Sequence, residues 1–227
     1  AQLPVDLRFR DHNGKSVALG DVLAGEVPTI VTFNYSSCPQ LCSLQLNALT
    51  ATLAKAQWRV GKQFKIVTFV LDPHEAPERT QKTRAHYLER LPEGSIADGW
   101  TFLLADKPGE EAAIRRIADG LGFQYKYIQE RAEYAHPAAL MFLTPTGKLN
   151  QYAYGVDYAP TDFNFWIAKA GLAEPQTATG FLLRCFHWDS AAKDKSGVAR
   201  SAMRYGAAGF VVLLLAALGI WTVLRRT

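Results

Sequence analysis

Cysteine is scarce in this chain, with three in 227 residues. An odd count leaves one thiol over from any pairing. The body is large enough to build a full core without a stapling disulfide. Strong charge is also missing. The net charge is +4, from 25 Lys and Arg against 21 Asp and Glu. The basic residues are scattered, with no Arg/Lys stripe interleaved with aromatics, which argues against nucleic acid as a partner. There is no internal repeat. There is no initiator Met either: the chain opens Ala1-Gln2-Leu3-Pro4. We read this as a mature protein after signal-peptide cleavage, and expect an exported body.

Long hydrophobic runs are absent except for one. Gly206 to Leu224 are 19 consecutive residues without a charge. As a helix this run spans about 28 Å, close to the hydrocarbon thickness of a bilayer. Arg200 and Arg204 precede it, and Arg225 and Arg226 follow. It is expected to be a transmembrane helix over 205–225 rather than a buried core helix. Residues 173–204 are polar and irregular and read as a linker. That leaves a body over 1–172.

Within the body, hydrophobic periodicity alternates between two and 3.6. Val5 to Leu19 reads as a hairpin turning at Asn13-Gly14. Thr29 to Phe33 reads as a buried strand, and a helix is expected from Pro39. On that helix Cys42, Leu46, Leu49 and Leu53 share one face. Phe64 to Leu71 is a nearly continuous apolar run, as in a central strand covered on both faces. Helices are expected from Pro77 to about Leu91, from the segment Asp106–Glu111 onward, and over Thr161 to Ala170. Strands are expected at Trp100 to Leu104, Phe123 to Tyr127, Ala138 to Leu143 and Leu149 to Tyr154. The fold class is therefore α/β, a sandwich around a mixed sheet.

The chemistry concentrates in Phe33-Asn34-Tyr35-Ser36-Ser37-Cys38-Pro39-Gln40-Leu41-Cys42. A strand hands over to a helix here, which places Cys38 near the helix cap. A helix N-terminus stabilises a thiolate. Helical residues four apart have Cβ atoms about 5–6 Å apart. A relaxed disulfide wants about 3.5–4.5 Å, so modest unwinding would be needed to close one. The same spacing suits two sulfurs on one soft ion. Two thiolates favour Cu(I), and an added imidazole also admits Cu(II) or Zn. Redox work and metal handling both stay open. Of the histidines, His12 in a hairpin tip and His86 on a charged helix read as solvated. His136 precedes Pro137, which forces it extended at the mouth of a core strand. It is the best placed to face the cysteines.

Phe33-x-Tyr35-x-x-Cys38-Pro39-x-x-Cys42 resembles the motif of the Sco/SenC family of copper-binding, thioredoxin-like proteins. Leu71-Asp72-Pro73-His74-Glu75-Ala76-Pro77-Glu78 resembles that family's acidic, proline-bounded segment. Tyr134-Ala135-His136-Pro137, running on to Gly147, resembles its histidine motif, strand and turn. The resemblance implies a thioredoxin-like fold in which Cys38, Cys42 and His136 bind one copper, as Cu(I) or Cu(II). It places Asp72 beside the site rather than among the ligands; from the residues alone Asp72 is equally a strand-end turn residue. It implies a part in assembling the dinuclear copper site of a haem–copper cytochrome oxidase. The partners would be the subunit carrying that site, other periplasmic copper or thiol carriers, and the membrane. The expected location is the bacterial inner membrane, single-pass, with the body on the periplasmic face.

Familiar members carry an N-terminal anchor, whereas the anchor here is C-terminal. Leu183-Arg184-Cys185-Phe186-His187-Trp188-Asp189 resembles the segment before such a C-terminal anchor; Cys185 reads as a buried thiol near the membrane, as part of a second metal or redox site with His187, or as an intermolecular partner. Three functions follow. The first is a copper chaperone. The second is a thiol–disulfide oxidoreductase in which Cys38 attacks and Cys42 resolves. The third is an accessory structural subunit of a respiratory complex.

Overall fold

The computed structural model describes residues 3–38 and 40–172. The expected linker and transmembrane helix, with Cys185 and His187, lie outside the described residues. Among the described residues no helix is long and apolar enough to cross a membrane.

Strands β1 (Arg8–Asp11) and β2 (Ser16–Ala18) form the N-terminal hairpin, followed by the short helix α1 (Leu19–Leu23). Strand β3 (Thr29–Asn34) leads through the cysteine loop into α2 (Leu41–Lys55). Strand β4 (Lys65–Val70), helix α3 (Pro77–Leu88), strand β5 (Trp100–Ala105) and helix α4 (Ala112–Gly120) follow. A small ribbon of β6 (Lys126–Ile128) and β7 (Glu133–Ala135) precedes β8 (Ala139–Leu143), β9 (Leu149–Tyr154) and α5 (Pro160–Gly171).

The main sheet has seven strands in the order β2-β1-β5-β4-β3-β8-β9. β3, β4 and β5 run parallel, and β8 lies antiparallel to β3. This is the thioredoxin-like mixed sheet that the resemblance implies. Every residue of β3 is buried, because it is central and covered on both faces. On one face Phe33 stacks between Phe69 and Phe123. On the other, Thr32 bonds Thr68, which also accepts from the Trp100 indole. Each such ring contributes about 1.5–3 kcal/mol by leaving water.

This topology positions the site. The parallel strands bring the ends of β3 and β4 to the same edge, and the antiparallel β8 starts at that edge. The cysteine loop, the turn at Asp72 and His136 therefore converge there.

Several expectations need adjusting. The helix after the cysteine loop starts at Leu41, not Pro39, and its cap is Gln40, with φ −150° and ψ −58°. Cys38 thus sits in a turn, its N–H on the Tyr35 carbonyl at 3.3 Å, rather than at the cap. His12 is buried, 9 % exposed, not solvated. Burial, then the nearby Arg84, lowers its pKa. Phe123 and Tyr125 are buried ahead of β6, so the expected strand shrinks to Lys126–Ile128.

Candidate metal centre

Cys42 lies in the first turn of α2 on the face that meets the core, and is 4 % exposed. Its sulfur stands 3.6 Å from His136 Nε2. The Cys38 sulfur accepts the Cys42 backbone N–H at 3.3 Å. Cys38 is half-buried beside the core, and His136 is half-buried at the strand mouth. The structure therefore gathers Cys38, Cys42 and His136 at one place, with Cys42 between the other two.

The His136 ring has a polar neighbour on each nitrogen. His136 Nδ1 is 3.1 Å from the Pro137 carbonyl, which can only accept. Nδ1 therefore carries the proton, and Nε2 turns its lone pair to Cys42. Such an outer hydrogen bond is how metal-binding histidines are held in one tautomer. Tyr35 backs the ring at 6.4 Å, and its hydroxyl accepts the Tyr134 N–H at 3.1 Å.

The thiols are unequal. A hydrogen bond from the Cys42 side chain, with lesser help from the Cys42 and Gln40 backbone, lowers the Cys38 pKa to about 5 against its desolvation. The same bond, then burial, raises the Cys42 thiol. The proton is shared within the pair and sits on the inner sulfur. The cause is the partner thiol, not the helix terminus that the sequence suggested.

Among the described residues, no group of three His, Cys, Asp or Glu side chains stands arranged to hold a metal as it is. The Cys38 sulfur is engaged by the Cys42 backbone N–H. Cys38, Cys42 and His136 together offer two sulfurs and one ring nitrogen. That donor set fits copper, soft enough for Cu(I) and, with the imidazole, for Cu(II).

Asp72 does not reach the trio. Its carboxylate accepts the His74 N–H at 2.9 Å in a tight turn. Its charge acts on Tyr134, whose pKa is raised to about 12 by burial first and by Asp72 next. It borders the site through that tyrosine, which packs edge-on against Tyr35.

Sequence reasoning missed the carboxylate that holds the cysteine loop. Glu75 is 6 % exposed and accepts from the Ser36 N–H at 2.8 Å, the Ser36 hydroxyl and the Thr80 hydroxyl. Thr83 adds a bond to the Ser36 hydroxyl. A cavity of about 60 Å³ adjoins the cysteines, lined in part by Asn34, Ser36, Glu75 and Tyr87. Glu75 was visible as an acid between prolines, but nothing local in the sequence says it points inward.

Solved structures share the fold. A protein from Aquifex aeolicus VF5 matches with TM-score 0.65 and 23 % identity over 78 % of this chain and 96 % of that one. BsSco, a member of the Sco family of cytochrome c oxidase assembly proteins with a disulfide switch, matches with TM-score 0.56 and 20 % identity, over 76 % and 96 % of the two chains. The copper-bound ScoI of Arabidopsis thaliana matches with TM-score 0.55 and 18 % identity, over 72 % and 94 %. A search of curated proteins finds no match. The SCO1/SenC family model matches residues 4–161, which is most of the chain and contains both cysteines, His136 and Asp72, and on that match the chain belongs to the SCO1/SenC family.

Proposed function

We propose that this chain is a membrane-anchored copper chaperone. It takes one copper on Cys38, Cys42 and His136 and passes it towards the dinuclear copper site of a haem–copper cytochrome oxidase. The observation that carries the reading is the Cys42 sulfur 3.6 Å from an imidazole nitrogen whose proton is held on the far side of the ring. Copper is cargo here, so a half-exposed site with two ligands, Cys38 and His136, on loops favours stepwise exchange. The copper in Arabidopsis ScoI and the oxidase-assembly role of BsSco support the reading by kinship. The uncharged run Gly206 to Leu224 supports an anchor, with the body on the periplasmic face of a bacterial inner membrane. Anchoring confines donor and acceptor to one plane and raises their effective concentration.

Copper titration of the reduced chain tests this. One equivalent binds, and loss of Cys38, Cys42 or His136 weakens binding sharply. Unchanged binding in all three variants removes the proposal.

The unequal thiols favour a second reading, reduction of the oxidase copper-site cysteines. Cys38 would attack as a thiolate and Cys42 would resolve the mixed disulfide. A Cys42→Ser variant then accumulates a disulfide with its client. Absence of any trapped client argues against it.

A further inference from the structure

The cavity beside the cysteine loop has a role that the copper reading does not supply. Its volume is about 60 Å³, and its wall takes in Asn34 at the end of β3, Leu46 on α2, Val70 at the end of β4 and Thr83 on α3. One water needs about 10–15 Å³ of such space, so there is room for a small cluster.

One polar group on this wall lacks a partner. Asn34 is 2 % exposed, and its Oδ1 is buried without a hydrogen bond. A line of buried amides fixes which way that oxygen faces. The Ala139 carbonyl can only accept, and Gln45 Nε2 donates to it at 2.8 Å. Gln45 Oε1 is thereby turned to β3, where Asn34 Nδ2 donates to it at 3.1 Å. Each orientation forces the next. Asn34 therefore commits its donor to α2 and leaves an acceptor on the side away from Gln45. A buried acceptor left alone is destabilising and asks for a partner.

The neighbouring wall is short of donors too. Glu75 Oε1 accepts from the Ser36 and Thr80 hydroxyls, and Oε2 accepts only the Ser36 N–H. The Thr83 hydroxyl commits its proton to the Ser36 hydroxyl and keeps its own lone pairs. The acceptors still open are Asn34 Oδ1, Glu75 Oε2 and Thr83 Oγ1. The guest that answers them is small and carries two donors, as water does. Dry cavities are apolar, and a buried carboxylate on the wall argues against one here.

We propose that this cavity is a hydration site, in which bound water donates to Asn34 Oδ1 and to the open acceptors of Glu75 and Thr83. The water ties the end of β3 to α3 beneath the loop that carries Cys38. Internal waters of this kind are part of the fold and costly to remove. The inference goes beyond the copper reading and does not rest on it, because none of the groups that hold the water is Cys38, Cys42 or His136.

The test uses the reduced, copper-free full chain in detergent micelles, with ¹³C-labelled leucine and valine methyl groups. Leu46 and Val70 line the cavity and are each 2 % exposed. Their methyls show Overhauser cross-peaks to water with the sign of a long-lived water. Hydroxyl protons in exchange with solvent imitate this signal, so Asn34→Leu, shown to be folded by circular dichroism, is the control. It keeps every hydroxyl and removes the orphan acceptor, and the cross-peaks are lost. Val70→Leu fills the space instead, removes the cross-peaks at Leu46, and serves if Asn34→Leu fails to fold. Xenon under pressure leaves the wild-type methyls unshifted, because it enters dry apolar cavities. Wild-type methyls without cross-peaks overturn the inference. So do cross-peaks that persist in either folded variant, and so do xenon-induced shifts in the wild type. A wild type that takes up no copper removes the copper reading and leaves this result standing.

Discussion

Removing the Glu75 carboxylate is the sharpest mechanical perturbation of the cysteine loop. In Glu75→Ala the Ser36 N–H, the Ser36 hydroxyl and the Thr80 hydroxyl lose their common acceptor. The hydroxyls can turn to each other and to Thr83; the Ser36 N–H cannot. Leaving one buried donor unpaired costs about 1–3 kcal/mol, and a bond to a charged group is worth about 1.5–3 kcal/mol. Offset by partial rescue of the hydroxyls, the net loss is about 3 kcal/mol. For a body of this size that lowers Tm by about 6–12 °C. Glu75→Gln keeps one acceptor oxygen but sets an amide N–H₂ against a donor, so it loses about half as much. Urea unfolding with an unchanged m-value is the assay. A Glu75→Ala variant within about 0.5 kcal/mol of wild type, the scale of an ordinary surface change, would refute the reasoning.

Other consequences follow from the same geometry. Alkylation of Cys38 stays fast down to pH about 5 and falls below it, because the Cys42 hydrogen bond holds the thiolate. Cys42→Ala moves that midpoint up towards the ordinary thiol range, and an unmoved midpoint would show that the bond is not the cause. By linkage, a thiol whose folded pKa is lowered adds stability above its unfolded pKa, and that stability is lost as pH falls through about 5. Phe33→Ala opens a void between Phe69 and Phe123 and costs about 3–5 kcal/mol in chemical unfolding. Tyr35→Phe leaves the Tyr134 N–H without its acceptor and costs about 1 kcal/mol, with little change in Cys38 alkylation at neutral pH.

The central strands were legible because burial on both faces writes an unbroken apolar run, as in β3 and β4. The site was legible in outline because its donors are rare residue types at strand ends. Three things were hidden. Pro39 looked like a first helical residue, but the turn closed by Cys38 onto Tyr35 delays helical geometry to Leu41. His12 looked solvated in a hairpin, but packing that no local pattern encodes buries it. Glu75, Gln45 and Asn34 point inward through contacts made across the sheet, between residues 11 to 94 positions apart for the amide line and 39 for Glu75 with Ser36. Gln45 did leave a trace, a polar residue three positions after Cys42 on the core side of α2. Asn34 left another, as the polar end of an apolar strand.

X-ray absorption of the copper-loaded, reduced full-length chain tests the central claim most directly. The account predicts one copper per chain with two sulfur neighbours and one imidazole nitrogen, the nitrogen vanishing in His136→Ala and the sulfurs in the Cys38→Ser, Cys42→Ser double variant. Copper held by nitrogen and oxygen alone, or a copper environment indifferent to these substitutions, would contradict it.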